Sequence, residues 1–415
     1  MPGVTTHVDS FRPITLLSAA AFCNSTCLRV TDPMLPMLAH DFHTSAGEAS
    51  AVITCFAFAY GVSQLVYGPF GDRFGKYRLV CIAMTLSAVA IAGGAVAQTL
   101  AQLAALRLLA GITTAGVLAL ALAYVGDAVP YARRQTVLAR VLSGQLLGVI
   151  CGQAAGGMLI GWVGWRSVFL LLGVIYAGVS GLLWLELLSP RVVRAQGPSL
   201  RPARLARDYA KLLTGRRSRL VLLAIFFEGL LFFGMLAYFA AFFRVRFALD
   251  YLTIGPLLGC FGLGGLGYGA FARWIVPGLG ERRMMLLGGI LLLCGLLLLG
   301  NVPVWMAVAP VMAMLGFALY MVHNTLQTRA TQMAPEARGA AVSLFTTAFF
   351  CGQAIGAAVI GMGVALLGYP MVFAAIGAAL LALCWWFAQF ACAGGTRWAL
   401  AAQPSCGADN DGGDA

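Results

Sequence analysis

The sequence predicts an all-α integral membrane protein, with twelve transmembrane helices arranged as two pseudo-symmetric six-helix bundles. Three observations predict it. First, 60% of the 415 residues are hydrophobic and only 10% are charged, against about 25% charged in ordinary globular domains. A core of ordinary size cannot hide that much apolar surface, so the solvent is lipid. Second, one crossing needs roughly 20 apolar residues to span roughly 30 Å of hydrocarbon, and that ruler fits the sequence twelve times. Third, short sequences recur close to 200 residues apart. Cys151-Gly-Gln-Ala-Ala-Gly156 returns as Cys351-Gly-Gln-Ala-Ile-Gly356, and Gly164-Trp-Arg-Ser-Val-Phe169 as Gly368-Tyr-Pro-Met-Val-Phe373. Gly68-Pro-Phe-Gly71 returns as Gly269-Ala-Phe-Ala272, followed by the basic turn Gly280-Glu-Arg-Arg283. A six-span unit has been duplicated.

Charge sets the orientation. A net charge of +12 would point to nucleic acid in a soluble chain, but its distribution excludes that partner here. Of 27 Lys and Arg residues, 22 fall in alternate connections and the termini; the exceptions are Arg29, Arg107, Arg166, Arg244 and Arg246. Basic connections stay on the inner side, so both termini are expected in the cytoplasm of a multi-pass inner (plasma) membrane protein. The anionic inner leaflet is the partner these bases imply. The 11 cysteines lie mostly inside apolar runs, without a C-x-x-C or a His spacing suited to zinc. Neither a disulfide framework nor a metal or cofactor is expected. The N-terminus lacks the basic, short-apolar and cleavage-site pattern of a signal peptide, so the first apolar run is a retained span.

Taken in order, residues 1–12 are a polar tail and the first span runs from Pro13 into Leu38, with Pro33 and Pro36 bending or loosening its outer end. Asp41 and Glu48 mark the first external loop. Span two, from Ala51, leads into the loop Gly68–Arg78, and span three runs from Leu79 to Ala97. Span four covers Leu100–Val125 and ends at the cluster Asp127–Arg134. Spans five and six occupy Gln135–Ile160 and Arg166–Leu188. Composition then shifts: Ser189–Arg219 carries nine bases, one acid and three prolines, the pattern of a lipid-facing cytoplasmic linker. Spans seven to twelve follow. The expected organisation is an N-terminal bundle over 1–188, the linker over 189–219, a C-terminal bundle over 220–395 and a disordered tail over 396–415.

Gly68-Pro-Phe-Gly-Asp72-Arg73-Phe-Gly75-Lys76-Tyr-Arg78 lies between two uncharged runs and is too polar for hydrocarbon. Its spacing resembles the G-x-x-x-D-R-x-G-K/R-x-R/K signature of the major facilitator superfamily of secondary transporters. The resemblance extends along nearly the whole chain. Arg107-Leu-Leu-Ala-Gly111-Ile-Thr-Thr-Ala-Gly116 looks like the superfamily's R-x-x-x-G-x-x-x-x-G signature, and the stretch His323–Arg329 through Pro335–Gly339 is similar to its pattern after span ten. Gly144, Gly148, Gly152, Gly156 and Gly157 in span five resemble the glycine signature of its antiporters, with Gln153 where that signature usually has proline. Read physically, the loop is a conformational latch built from Gly68, Asp72, Arg73, Gly75 and Lys76. Its glycines permit tight turning, the acid suits a neighbouring helix N-terminus, and the bases hold the anionic surface. Gly148, Gly152 and Gly156 let another helix approach to backbone distance, which serves packing and gating alike. Gly262-Leu-Gly-Gly-Leu-Gly267 satisfies G-x-G-x-x-G but lies within an apolar span, so it is no nucleotide fingerprint.

Charged residues inside spans are costly and therefore functional candidates. Arg29 and Asp32 sit three apart on one face of span one, where they serve either as a structural ion pair that neutralises itself or as a substrate or proton site. Arg107 lies within span four, and Glu228 lies among phenylalanines in span seven with no base in the same span. These four, with Gln145 in span five, are the expected substrate and proton pathway, in which Glu228 and Asp32 carry the proton and Arg107 modulates one of them. No Ser/His/Asp or paired-carboxylate arrangement suggests an enzyme. The resemblance implies a monomeric, proton-coupled exporter of a small organic molecule. The alternatives are an uptake symporter or uniporter of the same fold, and a non-transporting receptor.

Overall fold

The computed structural model describes residues 12–189, 192, 202–334 and 337–390. The expected tail over 396–415 and most of 190–201 in the expected linker lie outside the described residues. The first half contains α1 (Arg12–Arg29), α2 (Leu35–Asp41), α3 (Ala46–Ala49), α4 (Ala51–Phe74), α5 (Lys76–Gly93), α6 (Leu100–Ala128) and α7 (Tyr131–Leu187). Then come α8 (Pro202–Thr214), α9 (Arg216–Glu228), α10 (Gly234–Leu236), α11 (Phe239–Phe247), α12 (Tyr251–Asn301), α13 (Val308–Gln332), α14 (Arg338–Leu367) and α15 (Tyr369–Phe390). The described residues are all-helical.

Nine helical stretches among them are long and apolar enough to cross a membrane. Two of these are too long for one crossing, at 55 residues for Arg133–Leu187 and 51 for Tyr251–Asn301, where about 20 suffice. Each bends at a glycine with positive φ, Gly164 at 74° and Gly280 at 68°. Gly75 (88°) and Gly368 (74°) make the same kind of turn between α4 and α5 and between α14 and α15. Positive φ with extended ψ is a region kept almost wholly to glycine, and another residue there costs about 1–3 kcal/mol. The four turns pair across the halves at the spacing of the sequence repeats, Gly75 with Gly280 and Gly164 with Gly368.

One expectation is corrected here. Gly68–Arg78 is not a loop: helix continues to Phe74 and restarts at Lys76, so the chain reverses at Gly75 alone. One positive φ turns the backbone without a longer connection. Of the two effects expected of the prolines in span one, the structure shows loosening rather than a bend. The Pro33 nitrogen cannot bond the Arg29 carbonyl and its ring crowds that group, so α1 ends at Arg29 and residues 30–34 form turns before α2. Asp32 therefore lies in the break, its N–H donating to the Arg29 carbonyl at 3.2 Å.

Glycines set the helix approaches within each half. The faces of Gly144, Gly148 and Gly152 on α7 lie against the carbonyls of Ser18, Phe22 and Thr26 on α1. In the second half Gly352 and Gly356 of α14 lie against the carbonyls of Phe226 and Leu230. The two halves meet along α4 and α14, where Ser50 Oγ donates to the Ala357 carbonyl at 2.9 Å and Thr347 Oγ1 to the Gly61 carbonyl at 2.8 Å. Gly157 of α7 and Gly255 of α12 form the second contact line, with a would-be Cβ 2.6 Å from the opposing Cα. Small residues and hydroxyls at these lines replace the hydrophobic effect, which lipid cannot supply between helices. Outward, Trp162, Val174, Leu185 and Trp385 are exposed, as a lipid-facing surface requires.

Candidate functional site

Each half opens with an interrupted span, at matching places. Span one breaks at residues 30–34, and α9 passes at Glu228 into a π-helical turn over Gly229–Phe233. Irregular backbone at membrane depth survives only where protein or a cavity satisfies it, and matched interruptions in two repeats point to a binding site.

In the first half the break holds Arg29 and Asp32, both buried. Their closest atoms are 3.7 Å apart, near enough for an ion pair and too far for a hydrogen bond. The Gln153 amide sits beside Asp32, yet neither Gln153 polar atom has a partner in hydrogen-bond geometry. The Arg29 guanidinium reaches across to the other half and lies 4.7 Å from the centroid of the Phe233 ring.

In the second half Glu228 is completely buried, and His323 Nδ1 of α13 is 2.9 Å from its Oε2. The His323 side chain retains 22% exposure, so the pair has one dry and one wettable member. Phe233, Phe345 and Phe349 surround the imidazole, with ring centroids 6.2, 6.0 and 5.5 Å away. Glu228 Oε1 has no partner.

Arg107 is buried but makes no ion pair with Asp32 or Glu228. Its Nη1 donates to Cys27 Sγ and its Nη2 to the Cys27 carbonyl, both at 3.3 Å, and its guanidinium lies 3.9 Å from the Phe56 ring centroid. The last carbonyls of a helix lack intrahelical donors and carry negative partial charge. Arg107 thus caps the broken end of α1. Gln145 is half-buried on α7 between Gly144 and Gly148. Gly148 and Gly152 contact α1 backbone, and Gly156 contacts Val30.

At the Gly75 turn, Lys76 Nζ lies 3.3 Å from Asp72 Oδ1 and bonds Asp127 at the end of α6. The sequence reading had Lys76 facing lipid; two acids draw it inward instead. Arg73 is exposed, beside the Phe74 ring. Gly68 borders open space, so the helix approach there does not demand glycine. The second half repeats the arrangement with charges exchanged: Glu281, next after Gly280, pairs with Arg329 of α13.

His323 is a site residue that the sequence motifs do not single out, since it enters them only as the start of the His323–Arg329 stretch. The available signal was a histidine within an apolar span, in a chain with only four histidines, since ionisable residues at membrane depth mark pathways.

Comparison with known proteins bears on the family and the fold. The profile described as Major Facilitator Superfamily matches residues 17–344. The chain is 28% identical over 353 residues to the "Chloramphenicol resistance protein" of Streptomyces lividans, covering 83% of this chain and 87% of that protein. It is 25% identical over 178 residues to the "Uncharacterized MFS-type transporter YybF" of Bacillus subtilis (strain 168), 43% of this chain. That match spans only 44% of YybF's length. Among solved structures, the nucleoside transporter NupG superposes with a TM-score of 0.72 at 14% identity, covering 90% of this chain and 97% of that one. This likeness concerns the fold alone. With a family profile matched over most of its length and that family's helical architecture around two interrupted spans, the chain belongs to the Major Facilitator Superfamily of membrane transporters.

Proposed function

We propose that this transporter exports a small organic molecule in exchange for protons by alternating access. The observation that carries the reading is the Glu228–His323 hydrogen bond, which joins a fully buried acid to an imidazole with access to water. A lone buried carboxylate is costly when charged. A carboxylate and an imidazole sharing one proton avoid that cost, and the exposed member is the route by which the proton enters and leaves. Asp32, in the break of span one, is the second acid of the pathway, with Arg29 and Arg107 beside it and Gln145 farther along α7. The direction of transport is supported by the Streptomyces lividans relative named for chloramphenicol resistance. The same reading includes twelve spans, reached by counting each of the two bent helices twice and adding α1. It includes the bundles 1–188 and 220–395 joined by a lipid-facing linker over 189–219, and both termini in the cytoplasm of the inner membrane. The protein works as a monomer, and the Gly75 turn with Asp72, Arg73 and Lys76 latches one of its conformations, while Gly148, Gly152 and Gly156 form a sliding seam.

The test uses inside-out vesicles loaded with radiolabelled chloramphenicol as the probe. Proton-driven transport is compared with probe exchange in the absence of a gradient, for wild type, Glu228→Gln and Asp32→Asn. A coupling residue loses the driven mode and keeps exchange. Full gradient dependence in both variants would make the carboxylates structural and the reading wrong. Proton-driven accumulation in right-side-out vesicles would establish uptake by symport instead.

A further inference from the structure

One ring borders both charged pairs. The Phe233 side chain is 8% exposed and lies against the Arg29 guanidinium of the first half and the His323 imidazole of the second. It packs edge-on against Phe349, with centroids 4.7 Å apart. Phe233 is also the last residue of the π-helical turn that begins immediately after Glu228. Turns of this kind sit mostly at functional sites and interrupt the regular ladder locally.

Both pairs are under-used. Arg29 stands 3.7 Å from Asp32, and Arg29 Nη1, Asp32 Oδ2 and Glu228 Oε1 are all buried without a hydrogen-bond partner. A guanidinium carries five donors in a flat fork and can serve carboxylates on two edges. Arg29 therefore has donors to spare, and Glu228 has a vacant acceptor. The other titratable or charged groups nearby are Arg107 of α6 on the Asp32 side, Tyr320 of α13 on the Arg29 side and Cys384 of α15 on the Glu228 side. Arg107 is already engaged by Cys27, and neither Tyr320 nor Cys384 is a cation.

We infer that Phe233 is a positioning residue that holds Arg29 on Asp32, and that substrate displaces the ring so that Arg29 bridges to Glu228 and drives the proton off the Glu228–His323 pair. This rests on the exchange reading above and supplies its coupling step. With the ring in place, a proton is needed to offset the Glu228 charge. With the ring displaced, guanidinium donors take over that role. The proton then leaves Nδ1 or the carboxyl for water through the exposed His323. Arg29 keeps Asp32 on one edge of its guanidinium while the other edge takes Glu228, so neither buried carboxylate is left without a cation. When substrate departs on the far side, the ring returns, Arg29 falls back to Asp32, and the pair takes up a proton there.

The first experiment needs no substrate. Reconstituted Phe233→Ala protein under an imposed pH gradient should leak protons about tenfold faster than wild type, equivalent to a barrier lower by about 1.4 kcal/mol. Phe233→Leu keeps an apolar plug and should stay tight. Arg29→Gln/Phe233→Ala should return to the wild-type leak, which loosened packing would not do. A tight Phe233→Ala protein, or an equal leak in the double variant, overturns the inference. A second measurement holds even if Phe233→Ala does not fold. Chloramphenicol added to wild-type protein in weakly buffered detergent should release protons, read by an indicator dye, and Arg29→Gln should release none per molecule of probe bound, with binding measured separately on the same sample. Release from Arg29→Gln at the wild-type level overturns the inference. Absence of chloramphenicol transport in wild type would sink the export reading alone, because the leak experiment does not use the probe.

Discussion

Gly152→Ala places a methyl group where α1 and α7 touch. A Cβ there would stand 2.8 Å from the Thr26 carbonyl oxygen and 3.1 Å from Thr26 Cα and Arg29 Cβ. Ordinary contact begins at 3.4 Å, so the carbonyl must retreat by about 0.6 Å. Two of the three obstacles are backbone and cannot rotate away. Overpacking of this kind costs about 1–3 kcal/mol. The displaced stretch carries Arg29, whose pairing with Asp32 already sits at 3.7 Å, so exchange should slow as well. Gly178→Ala on the same helix is the control, because nothing lies within 4 Å of that position. Both substitutions gain the same helix preference of about 0.5–1 kcal/mol. Their difference therefore isolates the clash, and Gly152→Ala should be the less stable of the two by about 1–3 kcal/mol. Reversible unfolding in mixed micelles measures that gap, and exchange assays measure the site. Two variants that unfold within about 0.5 kcal/mol of each other and exchange equally would refute a tight seam at Thr26.

Further outcomes follow from other elements. Gly75→Leu puts a side chain at φ 88°, and Asp72→Asn and Asp127→Asn remove partners of Lys76. Each variant should insert and accumulate but exchange more slowly, and wild-type rates in all three would leave the turn with a topogenic role only. Reporter fusions after Thr214 and Arg283 should read as cytoplasmic, and those near Thr44 and Ala248 as external; a cytoplasmic signal at Ala248 would break the six-plus-six order. Partial burial works against the charge of Asp41, but the Trp165 indole N–H donating at 2.8 Å, with His40, holds its carboxyl below the usual range. A carboxyl lowered on folding contributes stability above its unfolded value, near 4, and loses it as the pH falls through the folded value. Acid unfolding should therefore begin at higher pH in Trp165→Phe, and an unchanged acid transition would show the contact to be idle.

The lipid solvent was legible from the residues alone. Apolar runs, basic connections and repeated glycine motifs are local quantities, and lipid partition acts on each segment separately. The repeat carries two of the turn glycines, Gly164 and Gly368, as an echo, but only the backbone shows that they and Gly75 and Gly280 take positive φ. Proline chemistry was legible in kind, since Pro33 announced a disturbed helix, but the break at Arg29 belongs to the carbonyl four residues earlier. What only the tertiary structure decided is which charge meets which. Glu228 and His323 are 95 residues apart, and Arg107 and Cys27 are 80. Composition marks each as costly in lipid without saying what relieves the cost. Lys76 illustrates the same division. Sequence places a base at the inner surface, where lipid phosphate and a protein carboxylate are equally good partners for an ammonium group. Helix packing brings Asp127 to the end of α6 beside it, and the short-range Coulomb attraction to two acids then takes the side chain inward.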